Sequence, residues 1–139
     1  MQYDPNNIFA KILRGEIPAH KIYEDDHTLA LMDVMPQVDG HCLVITKKHA
    51  RGLLDVEPAT LGQLMVTVQR VAAAAKSAMA ADGVQIRQYN EEAAGQTVFH
   101  LHFHIIPMKS GEGLKPHSVT MADHTVLAKH AEMIRAKLK

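Results

Sequence analysis

The chain has 139 residues, 15 basic and 15 acidic side chains in balance, 47% hydrophobic residues, and ten histidines against three Phe, three Tyr and no Trp. That composition excludes a disordered segment and a membrane-embedded chain, and the zero net charge argues against a nucleic-acid binder that works by broad counterion release. A chain of this length buries roughly 70% of its unfolded surface, so one domain over residues 1–139 needs neither disulfide nor structural metal.

The polar N-terminus, Met1 to Asn7, has neither the basic start nor the apolar run of a secretion signal. No apolar stretch approaches the roughly 20 residues needed to cross a bilayer, and the lone Cys42 fits a reducing compartment. Together these predict a cytoplasmic protein. Asn7 can cap a short helix carrying Ile8, Phe9, Ile12 and Leu13, which Gly15 and Pro18 stop. Lys21–Glu24 and Thr28–Asp33 flank Asp25, Asp26 and His27 as a hairpin, and His41–Thr46 starts a third strand after Asp39 and Gly40.

Pro58 suits the first position of one long helix. Leu61, Leu64, Met65, Val68, Val71, Ala72, Ala75 and Met79 form its apolar stripe, and Asp82 with Gly83 ends it. Val84–Tyr89 alternates as a fourth strand, and a loop from Asn90 to Gln96 leads to a fifth, Thr97–Ile106. Lys109 to His117, with Gly111, Gly113 and Pro116, reads as a mobile surface loop that borders a site. A last helix starts at Thr120, with Asp123 completing a capping-box-like pair and Leu127, Ala131, Ile134 and Leu138 turned inward. The sum is an α+β domain with a mostly antiparallel sheet of about five strands.

The fifth strand carries the chemistry. Its period of two puts Val98, His100, His102, His104 and Ile106 on one face, and Phe99, Leu101, Phe103 and Ile105 on the face packed against helices. Three imidazoles at strict alternation are too regular for filler. A shared metal is a poor reading, because the Cα atoms of His100 and His104 lie about 13 Å apart at roughly 3.3 Å per residue, while zinc needs nitrogens at about 2.0–2.1 Å. The other candidate ligands, Cys42, His41 and His49, are scattered in sequence. Covalent phosphoryl or nucleotidyl transfer fits better. A neutral imidazole is a good nucleophile near pH 7, and a second one can serve as general acid. Ala94, Gly95, Gln96 and Thr97 offer approachable amides and a hydroxyl beside the histidines for a phosphate.

Residues 100–106 match His-φ-His-φ-His-φ-φ, with φ apolar, at every position, and the chain thereby resembles the histidine triad (HIT) superfamily of nucleotide hydrolases and transferases. The likeness spans about residues 7–108. It includes Ile8-Phe-Ala-Lys-Ile12, Gly15-Glu-Ile-Pro-Ala19, Tyr23-Glu-Asp-Asp26, the Pro36-Gln37 turn, Gly40-His-Cys-Leu-Val-Ile-Thr-Lys-Lys-His49 and Ala94-Gly-Gln-Thr-Val98. The resemblance implies a HIT-like fold in which His102 attacks the α-phosphorus of a purine nucleotide conjugate and forms a nucleotidyl-histidine that water hydrolyses. His104 would contact the phosphate and assist the leaving group, and His100 and His41 would complete the cluster that orients His102. Asn90, Gly95, Gln96 and Thr97 match the phosphate-binding stretch, Asp33 the ribose position, and Ile8, Phe9, Ile12, Leu31 and Val34 the slot for the base. Read without the resemblance, Asp33 is equally a strand-end turn residue and the apolar five are core.

Departures from the pattern are informative. Many bacterial members carry a Cys-x-x-Cys that binds zinc with histidines matching His49 and His100; here Asn7 and Ala10 hold those positions, so no structural zinc and no other cofactor is expected. His104 stands where the transferase branch has glutamine, which favours hydrolysis. The C-terminal helix and the lack of Trp depart from the shortest phosphoramidases, leaving the substrate open between a phosphoramidate or acyl-nucleotide and a dinucleoside polyphosphate. The resemblance further implies a homodimer paired through the long helix and the strand Val84–Tyr89, with no nucleic-acid or membrane partner. A nucleotide-binding regulatory protein with incidental catalysis is the other class that fits.

Overall fold

Two of the helices begin at a side-chain cap, and a carboxylate holds the turn of the first hairpin. The computed structural model of the chain describes residues 2–115 and 121–139. In it α1 (Ile8–Leu13) starts where the Asn7 carboxamide accepts the Ala10 amide hydrogen, the usual device for an orphan donor at a helix N-terminus. β1 (Lys21–Glu24) and β2 (Thr28–Met32) form the expected hairpin, whose turn is held by Asp25 accepting the His27 and Thr28 amides. β3 (Cys42–Thr46), α2 (Pro58–Ala78) and β4 (Gly83–Arg87) follow, then a 3-10 turn at Glu92–Ala94, β5 (His102–Met108) and α3 (His124–Arg135). The five strands pair antiparallel in the order β1-β2-β3-β5-β4, so the fold is α+β.

Two strands depart from the sequence pattern by more than one residue at an end, for local reasons. β5 begins at His102 instead of Thr97, because the preceding segment leaves the ladder and Leu101 donates its amide to the Ala50 carbonyl. β4 stops at Arg87, where the Gln88 and Asn90 carboxamides pair with each other and turn the chain. Asp123 caps α3 by accepting the Thr125 amide; the expected start at Thr120 lies outside the described residues, as do Pro116 and His117 of the preceding loop. Lys115, at the end of the described part of that loop, is tied by its amide to the Gln37 carbonyl.

Both sheet faces are covered. On one, Ala30, Met32, Cys42, Val44, Leu101, Phe103 and Ile105 pack with Leu64, Val68, Val71 and Ala75 of α2 and Leu127, Ala131 and Ile134 of α3. Two residues assigned to that core are not in it. Phe99 lies half-buried under the Arg51 guanidinium, 4.2 Å from its ring centre, and Met65 is exposed on α2. On the histidine face a second cluster of Phe9, Ile12, Leu29, Leu31, Leu43 and Ile45 gathers beneath α1. The β1 edge is capped by Arg135, which donates to the Lys21 carbonyl at 2.6 Å, whereas β4 forms the opposite edge of the sheet. Among the described residues no helix is long and apolar enough to cross a membrane.

Gly40, one residue before His41, requires its lack of a side chain: its φ is +88°, and an added Cβ would lie 2.5 Å from Met79 Cγ. Gly40→Ala is expected to destabilise the protein by about 2 kcal/mol through left-handed strain and overpacking, read as a lower urea midpoint; an unchanged midpoint would show that Met79 yields freely.

Candidate functional site

The antiparallel register brings the histidines together. His104 of β5 lies opposite Leu43 of β3 and Arg87 of β4, and His102 opposite Ile45. With His41 just before β3, this places His41, His100, His102 and His104 in one buried group, all at most 8% exposed. Neighbouring rings are in contact: the centres of His102 and His104 are 5.1 Å apart and those of His41 and His104 5.3 Å.

Backbone groups fix which nitrogen of each ring carries hydrogen. A carbonyl oxygen can only accept, so His102 Nδ1, 2.6 Å from the His100 carbonyl, is the protonated nitrogen and Nε2 is the basic one of the neutral ring. His100 Nε2 donates in the same way to the Thr46 carbonyl at 2.6 Å, and its Nδ1 accepts from the Tyr3 hydroxyl at 2.6 Å. At His41 the polarity reverses. The Gln37 amide donates to His41 Nδ1 at 3.0 Å, so Nε2 holds the hydrogen and donates to His104 Nδ1 at 3.0 Å. His104 Nε2 is then an N–H. One backbone amide thus makes His104 a donor, and one backbone carbonyl makes His102 a nucleophile.

Asp33 lies beside this relay, its Oδ2 3.4 Å from His41 Nε2 and 4.0 Å from His104 Nδ1, while Oδ1 accepts the Met35 amide. Asp33, His41 and His104 therefore bring ligand-type atoms within 4.8 Å of one another, although they are far apart in sequence. The donor set suits a proton relay better than a metal: with His41 Nδ1 accepting from the backbone, its Nε2 carries hydrogen and has no lone pair to offer. Burial pushes the Cys42 thiol up, which keeps it an unreactive core residue.

The expected binding residues divide. Phe9 lies edge-on to His102 with ring centres 4.8 Å apart, and Ile12 and Leu31 belong to the same cluster. Ile8 is exposed at 43%, and Val34 packs against the helix-side core, away from that cluster. Gly95, in the left-handed conformation at φ +103°, lines a cavity of about 240 Å³ with Gln37, Arg87, Tyr89 and His104. Gln96 is buried and braces the loop, accepting the Glu91 amide and donating to the Arg51 and Val98 carbonyls. Asn90 is engaged similarly, by the Leu53 amide and the Gln88 carboxamide, and Thr97 is exposed.

Sequence reasoning missed Tyr3, Gln37, Arg87 and Tyr89. Gln37 acts on His41 through its amide, which any residue but proline could supply, so no side-chain pattern could reveal it. The Tyr3 ring stacks on His49 at 4.3 Å, which ties the N-terminus to one of the two histidines that match the family's zinc positions. Arg87 becomes visible only once the β4–β5 register is known. Of the remaining histidines, His20 and His124 share a hydrogen bond of 3.0 Å at the surface.

The HIT domain family matches residues 14–111. The chain belongs to the HIT family. Among solved structures it is similar to a Hit-like protein from Bartonella henselae, 49% identical, with a TM-score of 0.93 and coverage of 99% of this chain and 100% of that one. A histidine triad nucleotide-binding protein from Sulfolobus tokodaii is 32% identical, with a TM-score of 0.86 and coverage of 93% and 89%. The adenylylsulfatase HINT3 of Arabidopsis thaliana is 37% identical over 120 residues, which cover 82% of this chain and 61% of that protein.

Burial holds the His100 imidazole down to about pKa 4, below its ordinary 6.5. Folding therefore opposes protonation, and the stability due to neutral His100 is complete above pH 6.5 and is lost as pH falls toward 4. Between pH 7 and 5 the wild type is expected to lose roughly 2 kcal/mol more than His100→Gln in urea denaturation. Equal losses would remove His100 as the source.

Proposed function

We propose that this HIT protein hydrolyses purine nucleotide conjugates at the α-phosphorus through a covalent nucleotidyl-His102 intermediate. The observation that carries this reading is the Nδ1–H of His102 held by the His100 carbonyl, which presents Nε2 as the basic nitrogen beside an N–H of His104. His102 Nε2 forms a bond to phosphorus as the bond to the leaving group breaks, and the leaving group takes the Nε2 proton of a His41–His104 pair that carries one extra proton, leaving that pair neutral. The positive charge that develops on His102 is stabilised by its hydrogen bond to the carbonyl. Water then attacks the same phosphorus, returns a proton to His104, releases the nucleoside monophosphate and regenerates His102.

Asp33 beside His41 and His104 favours the cationic form of the relay while His104 exchanges its proton. The apolar cluster containing Phe9, Ile12 and Leu31 would receive the base, and the Gly95 cavity the phosphate side. The scheme uses no metal. Where the family resemblance would put zinc, Asn7 caps α1, Ala10 has no ligand atom, and both His100 nitrogens have partners, so these residues do not fit a zinc site. The nucleotide-binding name of the Sulfolobus tokodaii relative and the adenylylsulfatase activity named for the Arabidopsis protein support the class of substrate.

His102→Ala is expected to lose at least about 10³-fold in turnover of an adenosine phosphoramidate while still binding adenosine monophosphate, and rapid quench of the wild type should trap a nucleotidyl-protein adduct. Surviving turnover, or no adduct, removes the nucleophile. Tight nucleotide binding without turnover across phosphoramidates, acyl-nucleotides and dinucleoside polyphosphates would make the protein a binding module instead.

The protein is further proposed to act as a homodimer joined through β4 and α2. β4 is an edge strand, and Ile86 on it and Met65 and Val66 on α2 are apolar and exposed. Light scattering should give twice the 15.4 kDa chain mass, and Ile86→Glu should shift the protein toward monomer; a wild-type monomer at micromolar concentration would refute the pairing.

A further inference from the structure

The sheet order gives the histidine centre two unlike sides. On the β3 and β2 side of β5 lies the apolar cluster of Phe9, Ile12, Leu31, Leu43 and Ile45. On the β4 side lies the 240 Å³ cavity, walled by Gln37, Arg87, Tyr89, Gly95 and His104. Arg87 is the cross-strand partner of His104, so in an antiparallel pair both side chains stand on the same face. The Tyr89 ring contacts His104 edge-on, with centres 5.8 Å apart, and completes that wall.

Arg87 is held there by neutral groups. Its guanidinium donates to Gln85 Oε1 at 2.6 Å and to Gln37 Oε1 at 3.5 Å, and among the described residues no carboxylate lies within 4 Å of it. Two carboxamides orient the fork without cancelling its charge, and five N–H groups exceed what two acceptors use. A half-buried, uncompensated guanidinium facing a cavity beside an imidazole N–H is suited to a tetrahedral oxyanion.

We propose that Arg87 selects conjugates whose leaving group is an oxyanion of the phosphate or sulfate class, binding that group in the cavity on the β4 side while the base rests on the β3 side. The assignment rests on the nucleotide reading of the site and narrows its substrate class. The bond that breaks is the one between the α-phosphorus and the bridging oxygen. Arg87 neutralises the charge that collects on the departing oxyanion, and His104 donates the proton. A neutral amine leaving group gains nothing from the guanidinium.

The test compares wild type, Arg87→Gln and Arg87→Lys on three adenosine conjugates: adenosine 5′-phosphosulfate, adenosine diphosphate and an adenosine phosphoramidate with a neutral amine. The readout is the ratio of kcat/KM on each anionic conjugate to that on the phosphoramidate. Arg87→Gln is expected to lower the ratio about 10- to 100-fold, as for loss of a charge-assisted contact, with partial recovery in Arg87→Lys. A larger fall for one conjugate identifies sulfate or phosphate as the preferred group, and ratios within twofold of wild type for both overturn the proposal. If the wild type turns over none of the three, the hydrolase reading fails by itself. Calorimetry then decides Arg87: a preference for adenosine diphosphate over monophosphate that disappears in Arg87→Gln supports the oxyanion site, and equal affinities in the wild type overturn it.

Discussion

A histidine can attack or donate only according to which of its nitrogens holds the hydrogen, and in this protein that choice is made by the main chain. The His100 carbonyl takes the His102 Nδ1 hydrogen, the Thr46 carbonyl takes that of His100 Nε2, and the Gln37 amide occupies His41 Nδ1. Backbone groups cannot titrate, so these assignments do not drift as the site gains or loses charge. The strand break belongs to the same arrangement: residues 97–101 leave the ladder, Leu101 bonds to the Ala50 carbonyl, and the His100 carbonyl holds His102.

Burial makes such an arrangement necessary. Four imidazoles lie between two apolar clusters, where an unpaired ring nitrogen would be costly and a charged one costlier still. His100 meets that constraint by remaining neutral, with a depressed pKa and a partner on each nitrogen. His41 and His104 meet it differently, by passing one hydrogen along a line that has Asp33 at its side. The histidine that stays neutral and the pair that can share charge stand on opposite sides of His102. Orientation and proton transfer are thereby separated within one cluster.

Much of this was legible because two periods dominate the sequence. Alternation at 100–106 put His102 and His104 on one face and Leu101, Phe103 and Ile105 on the other, as found. Helical spacing located α2 and α3, and the Asn7 cap located α1. The pattern could not give the strand order, and with it the meeting of Arg87 with His104 or of Asp33 with His41, since those depend on β5 inserting between β3 and β4. Nor could it separate Val34 from Leu31 in use, because a strand end turns an apolar residue toward whichever core is nearer. Asn90 and Gln96 fit a phosphate-binding stretch by type, yet their carboxamides brace the loop that places Gly95. Side-chain type identified the stretch, and hydrogen-bond accounting separated its framework from its lining.

Gln37 connects the parts of the molecule that sequence order keeps apart. Its amide sets His41, its side-chain oxygen touches the Arg87 guanidinium, and its carbonyl and Nε2 bond to the Lys115 backbone. The C-terminal segment is thus anchored to the same residue that fixes the proton relay at one end and steadies the cavity wall at the other. Ala122 adds a bond to the Val34 carbonyl, and α3 packs on α2, so the anchor is backed by the main core. A turn without such backing would let the Gln37 amide move, and His41 could then take either tautomer. The Lys115–Gln37 and Ala122–Val34 bonds therefore join the segment beyond the sheet to the same turn whose amide sets the tautomer of His41.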